Sequence, residues 1–262
     1  MKLKFYKYQG TGNDFVILDN RSGNIQLSTA QIKAICDRRF GIGADGLMLL
    51  EKVEGYDFKM VYFNADGNES TMCGNGGRCL VKFAYHQEVF KDQTVFLAID
   101  GPHEAFVDDA GWVHLKMINV NTIEKGENYY FMNTGSPHHV QFVKEIEQYP
   151  VFTEGKSIRY SDKYLANKGT NVNFAEAQQD TLFVRTYERG VEDETYSCGT
   201  GVTAAAIAAR NLGLKSPVQI KTLGGNLSVA FEEVEGRFEN IFLNGPAEFV
   251  FEGDITLQTS NS

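Results

Sequence analysis

Positive charge is scarce in this sequence, cysteine is scarcer, and long apolar runs are missing. Lys and Arg number 25 against 34 Asp and Glu, a formal charge of −9. A net-negative surface repels phosphate backbones, so a dedicated nucleic-acid binder is disfavoured. The longest near-apolar stretch, Val202 to Ala209, is far too short to cross a bilayer. The first seven residues, Met1 to Lys7, alternate like a strand and lack the apolar segment of a signal peptide. The four cysteines, Cys36, Cys73, Cys79 and Cys198, are therefore expected as reduced thiols of a cytoplasmic protein. No C-x-x-C and no paired Cys/His spacing occurs, which argues against zinc and against a dithiol redox motif. What remains is globular. Hydrophobic residues make up 42% and charged residues 23% of 262, enough for one large domain or two of about 130 residues.

Most of the chain reads as short strands cut by turns. Phe58 to Phe63, Thr94 to Ile99 and Thr181 to Tyr187 have strand composition, and Asp100-Gly101 and Gly224-Gly225-Asn226 are hairpin signals. Ser28 and Gln31 have capping-box spacing and predict a helix over Gln31 to Arg39, with Ile32, Ile35 and Cys36 on its buried face. Two more helices are predicted to begin after Cys73 and Cys198. The second, Val202 to Leu212, is apolar nearly all round, as a buried helix is, and Gly213 stands where a C′ glycine belongs. The first mixes apolar Cys79, Leu80, Phe83 and Ala84 with Arg78 and Lys82, which are expected to be exposed or paired. The tail Thr259 to Ser262 is read as frayed.

The chain repeats itself. Cys73-Gly74-Asn75-Gly76 and Cys198-Gly199-Thr200-Gly201 stand 125 residues apart, as do Glu69 and Glu194. The turn glycines Gly101 and Gly225 are 124 apart, and Thr11-Gly12-Asn13 finds Thr134-Gly135-Ser136 at 123. A colinear set with so little drift argues for an internal duplication. The expected fold is α/β of the α+β type: two pseudo-symmetric lobes, each a curved, mainly antiparallel sheet or barrel around a central helix. The first lobe takes residues 1–116 plus about 248–262, and the second residues 117–247.

Each of the two matching cysteines opens a glycine-rich turn into a helix. Free backbone N–H groups and the positive end of the helix dipole stabilise an anion there, so the thiol is drawn toward its thiolate. The glycines let backbone approach a ligand, and the same amides suit a substrate carboxylate. If the lobes face each other, one thiolate removes a proton from a carbon acid while the opposite thiol delivers one to the other face, inverting the centre. Only one thiol starts charged, so their titrations are coupled. Against this stands the bland reading: a cysteine is more often core filler than catalyst, and Cys36 and Cys79 are read that way. Scattered asparagines mostly serve turns and caps, and Glu188 beside Arg189 could be an ordinary surface ion pair.

An ordered set of motifs resembles the diaminopimelate epimerase family nearly end to end. It runs through Gly10-Thr11-Gly12-Asn13-Asp14-Phe15, Arg39 to Gly46, Phe63-Asn64-Ala65-Asp66-Gly67 and Met72 to Cys79. It continues with Gly135-Ser136-Pro137-His138, Tyr187-Glu188-Arg189-Gly190 and Ser197-Cys198-Gly199-Thr200-Gly201. The resemblance implies a cofactor-independent epimerase interconverting L,L- and meso-2,6-diaminopimelate for lysine and peptidoglycan precursors, usually a homodimer. It makes Cys73 and Cys198 the acid/base pair. Asn13, Asn64, Gly74, Asn75, Asn171, Glu188, Arg189, Gly199 and Thr200 become the substrate-holding set, with His138 and Glu188 tuning the thiols. In this assignment the helix-start amides take the reacting carboxylate, Arg189 the distant one, and Glu188 an ammonium.

The chain departs from the family at Ser136, where many members have Asn, and at Gly46, where some have Gln. Two alternatives stand beside the epimerase. One is a proline or hydroxyproline racemase of the same superfamily, whose members lack the Asn64 and Glu188-Arg189 contexts. The other is a non-catalytic binding or thiol redox protein, which has no need of cysteines at matching helix starts.

Overall fold

Ser28 opens the first helix as its spacing predicts: its hydroxyl accepts from Gln31 N–H, and the Gln31 side chain returns to the Ser28 N–H. This helix, α1 (Thr29–Cys36), stops three residues before the expected Arg39. Asp37 turns to extended backbone, and its carboxylate accepts from the N–H groups of Arg39 and Phe40, both at 2.7 Å. A side chain that satisfies those amides locally removes the reason for the helix to continue. Ile32 and Ile35 are each 1% exposed and pack on Val16, Leu18, Leu47 and Leu49. Burial of each such side chain stabilises by about 1.5–3 kcal/mol.

The computed structural model covers residues 2–166 and 168–257, so the tail Thr259 to Ser262 lies outside the described residues. The chain divides into two units, Met1–Leu115 with Pro246–Ser262, and Lys116–Gly245. The first unit holds β1 (Lys2–Gly10), β2 (Asn13–Asp19), β3 (Gly46–Glu51), β4 (Phe58–Asn64), β5 (Gln93–Ala98), β6 (Gly101–Val107) and β7 (Val113–Lys116). Its second helix, α2 (Gly74–His86), falls between β4 and β5. Successive pairings run antiparallel, parallel, antiparallel, parallel, antiparallel, antiparallel.

The second unit begins with β8 (Ile123–Lys125), β9 (Tyr130–Asn133) and β10 (Pro137–Phe142), followed by α3 (Val151–Arg159) and α4 (Asp162–Leu165). Then come β11 (Asn171–Gln178), β12 (Thr181–Glu188), β13 (Asp193–Thr195), α5 (Gly199–Ala209), β14 (Val218–Thr222), β15 (Gly225–Val234) and β16 (Arg237–Gly245). From β9 through β10, β11, β12, β14, β15 and β16 the directions repeat those of the first unit, with α5 in the place of α2. The turn glycines keep their role in both copies: Gly101 has φ 122° and Gly225 φ 137°, each at the bend of a hairpin. The last strand, β17 (Glu248–Thr256), pairs antiparallel with β1 in the first unit.

Helix α2 packs on β1, β2, β3, β6 and β17. Helix α5 packs on strands of its own unit, and its alanines have no exposed surface. Their small size lets strands approach closely. Past α5, Gly213 closes the last turn with φ 88°. One expectation changes here. Arg78 is fully buried and bonds only to neutral groups, whereas exposure or pairing was expected.

Asp14 anchors the opening of β2 by taking Lys7 Nζ at 2.7 Å and Arg38 Nη2 at 2.6 Å. Burial pushes its carboxyl up, but the Arg38 and Lys7 cations prevail and hold it at about 2. A depressed pKa stabilises the fold above the unfolded value, and that stability is lost as pH falls through the folded one. Asp14→Asn leaves Lys7, 6% exposed, as an unpaired buried charge. Its expected destabilisation is about 3 kcal/mol at pH 7. Paired urea titrations should show the difference shrinking between pH 4 and pH 2, and a constant difference would show that the ion pair is not its origin.

Candidate active site

Cys73 is the N-cap of α2 and Cys198 the N-cap of α5, both in extended backbone, at φ −100° and −119°. Neither N-cap side chain makes a capping hydrogen bond to its helix, and a helix start of this kind suits an anion. Cys73 is part-buried and Cys198 buried. The other two cysteines are thiols in apolar packing, as expected: burial pushes Cys36 up to about 11, and Cys79, fully enclosed, is raised further.

In the first unit the turn after Cys73 is built on side chains from β2, α2 and the residue before β3. Asn75 Nδ2 donates to Asn13 Oδ1 at 3.2 Å, and Asn13 Nδ2 donates to Asp45. The two asparagines are thereby locked to each other beside the helix start. Asn64 is exposed at the end of β4, and its backbone closes the turn to Asn68. Gly46 is close-packed: an added Cβ would lie 2.6 Å from the Phe63 carbonyl oxygen and 3.1 Å from the Tyr62 hydroxyl. Tyr62 fills the space a longer side chain would need.

In the second unit a hydrogen-bond chain ends at Cys198. Asn173 Nδ2 donates to the His139 carbonyl at 2.9 Å, and a carbonyl can only accept, which fixes the orientation of this amide. The same nitrogen lies 3.0 Å from His138 Nδ1, so Nδ1 accepts and the imidazole proton sits on Nε2. His138 Nε2–H then donates to Thr200 Oγ1 at 2.8 Å. The Thr200 hydroxyl proton is left for Cys198 Sγ at 3.6 Å. Burial drives His138 down to about 3, with the Arg189 charge acting in the same direction against the Asn173 bond. It is a neutral donor at working pH, not a titrating base. Gly201 is what lets Asn173 lie under the first turn of α5, since a Cβ there would come within 2.3 Å of Asn173 Oδ1.

Asn171 is 3% exposed, and its amide is committed within the protein. Nδ2 donates to Ser136 Oγ at 2.8 Å and the Pro137 carbonyl at 3.1 Å, while Oδ1 accepts from the Arg189 N–H at 2.9 Å. Ser136 thus holds Asn171, and Asn171 holds the backbone of Arg189. Glu188 accepts from Thr195 at 3.0 Å. The Arg189 guanidinium makes no ion pair among the described residues. Sequence reasoning missed Asn173, Thr134 (whose hydroxyl donates to the Thr200 carbonyl at 2.7 Å) and the burial of Arg78. The signal for Asn173 was its spacing of two from Asn171, which puts both on one face of a strand.

Thr200→Val removes the hydroxyl that donates to Cys198. Losing a bond to the charged form raises a thiol pKa. The pH dependence of Cys198 alkylation, followed by mass spectrometry, should shift up, with Thr200→Ser close to the parent. An unshifted profile for Thr200→Val would remove this chain from the account.

A sequence profile of the family described as "Diaminopimelate epimerase" matches residues 5–122 and 130–250. The diaminopimelate epimerase of Flavobacterium psychrophilum is 54% identical over 260 residues, covering 97% of this chain and all of the relative. Among solved structures, a phenazine biosynthesis protein of the PhzF family from Bacillus anthracis superposes with TM-score 0.77 at 13% identity, over 98% of this chain and 100% of that one. A probable proline racemase from Agrobacterium radiobacter does so with TM-score 0.67 at 14% identity, over 99% and 94%. These two likenesses establish a shared fold. No helix among the described residues is long and apolar enough to cross a membrane.

Proposed function

The chain belongs to the diaminopimelate epimerase family, and from that premise we propose that it interconverts L,L- and meso-2,6-diaminopimelate with Cys73 and Cys198 as the two proton-transfer groups. It is an isomerase of lysine biosynthesis, and we place it in the cytoplasm, supplying peptidoglycan precursor as well. The single observation that carries the mechanism is the recurrence of a cysteine N-cap, without any side-chain cap, at the same topological place in both units.

One thiolate takes the α-proton and becomes a thiol. The electron pair left on carbon delocalises into the carboxylate, whose growing charge is met by the first-turn amides: Gly74 and Asn75 at α2, Gly199 and Thr200 at α5. The opposite thiol gives its proton to the other face and is left as the thiolate. No atom is gained or lost, and no oxidant is needed. The hydrogen-bond chain from Asn173 through His138 and Thr200 stabilises the charge that Cys198 carries in one of these states. Glu188 and the Asn13, Asn64 and Asn75 amides would hold ammonium and carboxylate groups, and Arg189 the distant carboxylate.

Because the thiols end a turnover with their protonation exchanged, solvent must reset them, and solvent hydrogen enters the product. Incubation of L,L-diaminopimelate with reduced enzyme in deuterated water should yield meso product carrying deuterium at the inverted α-carbon. Absence of both exchange and product would defeat the assignment, and exchange into proline instead would favour the racemase. We also propose a homodimer: β17 leaves Phe249, Val250 and Phe251 each more than 40% exposed on consecutive positions. Light scattering should give twice the chain mass, and the mass of a single chain would refute it.

A further inference from the structure

Arg78 has no exposed surface and heads the largest fully buried side chains among the described residues. Its guanidinium meets only neutral acceptors. Nη2 donates to Thr11 Oγ1 and Asn75 Oδ1, both at 3.1 Å, and Nη1 and Nε reach the Gly74 and Pro246 carbonyls at 3.5 Å. No carboxylate pairs with it among the described residues. A buried cation without a counter-ion costs several kcal/mol, so its retention in the core calls for a function.

The charge is real at working pH. Burial lowers Arg78 only to about 10, and the anionisable groups it feels are Cys79 and Cys73. Cys79 cannot serve as counter-ion, because full burial drives its thiol upward and keeps it protonated. That leaves Cys73, at the helix start whose first carbonyl, that of Gly74, Arg78 already holds.

The surrounding elements offer Arg78 no other partner. On β1 and β2, Lys7 and Asp14 pair with each other, and Tyr8 bonds to His86 of α2. On α2 itself, Lys82 donates to the Gly111 carbonyl. On β3, Glu51 accepts from Asn20; on β6, which also carries Glu104, His103 bonds to Asp100. On β17, Glu248 accepts from Gln9, while Glu252 and Asp254 pair with Lys4 and Lys2. The second unit lacks the device: 125 residues on, α5 has Thr203, whose hydroxyl donates to the Gly199 carbonyl.

We infer that Arg78 is a positioning residue for epimerisation, an uncompensated buried cation that stabilises negative charge on Cys73 Sγ and, through Asn75 Oδ1, aims the Asn75 amide at Asn13. Arg78 thus sets a full positive charge behind the helix start that Cys73 opens. The inference rests on the two-thiol reading above, but its readout needs no turnover.

The test is the pH profile of iodoacetamide alkylation at Cys73 and Cys198 in the full-length reduced protein, resolved by mass spectrometry. In the parent, Cys73 should titrate below the ordinary thiol value of about 8.5. Arg78→Met should slow Cys73 alkylation at pH 7 by roughly 5- to 10-fold, the difference closing above about pH 9.5 as the thiol ionises unaided. Arg78→Lys should retain most of the parent profile. A purely structural role would change the rate equally at every pH, or not at all, and either result overturns the inference. If Arg78→Met does not fold, the parent profile decides alone: Cys73 titrating at or above the ordinary thiol value overturns it.

Discussion

Alanine in place of Cys73, or of Cys198, lowers kcat for epimerisation by about 10³-fold or more, an expected loss of roughly 4 kcal/mol of transition-state stabilisation. A methyl group can neither take nor give a proton, and a two-sided inversion needs both partners. Binding should survive, because the proposed mechanism holds the carboxylate on backbone N–H groups of the first helical turn, which the substitution leaves in place. KM is therefore expected to stay within about threefold, so the loss falls on kcat. Each variant keeps one thiol on one face. Residual α-hydrogen exchange in deuterated water should accordingly occur with only one of the two stereoisomers, and with the opposite one for the other variant. Either variant epimerising within tenfold of the parent, or exchanging both isomers equally, would dismiss the two-thiol scheme.

Much of this site was legible because its signals are local. A cysteine followed by glycine and a polar residue at a helix start can be read from consecutive letters, and its second occurrence 125 residues later converts a weak motif into a strong one. The α1 capping box is likewise a four-residue property. What escaped depends on chain segments that only folding brings together. Arg78 reaches Thr11 across 67 residues, and nothing in the α2 pattern distinguishes it from Lys82, which is part-exposed. Asn173 acts through His138 at a separation of 35. Helix α3 went unpredicted because Pro150 leads into it without a side-chain cap and its apolar positions are sparse.

The departures from the family pattern acquire physical meaning in the same way. The Ser136 hydroxyl accepts from Asn171 at 2.8 Å, so it tightens the support of the Arg189 backbone. Gly46 leaves room that Tyr62 occupies. Ser136 acts on Asn171, and Gly46 on the placement of Tyr62.

The second large effect is expected at Arg189. It follows the end of β12 with its N–H held by Asn171, and its guanidinium has no carboxylate partner among the described residues. Glu188 accepts from Thr195. A part-buried guanidinium with its fork open suits the bidentate capture of a carboxylate. In diaminopimelate that group is the distant carboxylate, which does not react, so its binding contributes equally to ground and transition states. Arg189→Met should then raise KM by about 30- to 100-fold, near 2–3 kcal/mol, while kcat changes by less than about threefold. Arg189→Lys, a point charge without the fork, should recover only part of this loss. L-Lysine lacks the distant carboxylate, and its weak inhibition constant should be the same for the parent and for Arg189→Met, whereas meso-diaminopimelate should distinguish the two. Equal KM values for diaminopimelate in parent and variant would take Arg189 out of the binding set and leave the distant carboxylate to another group.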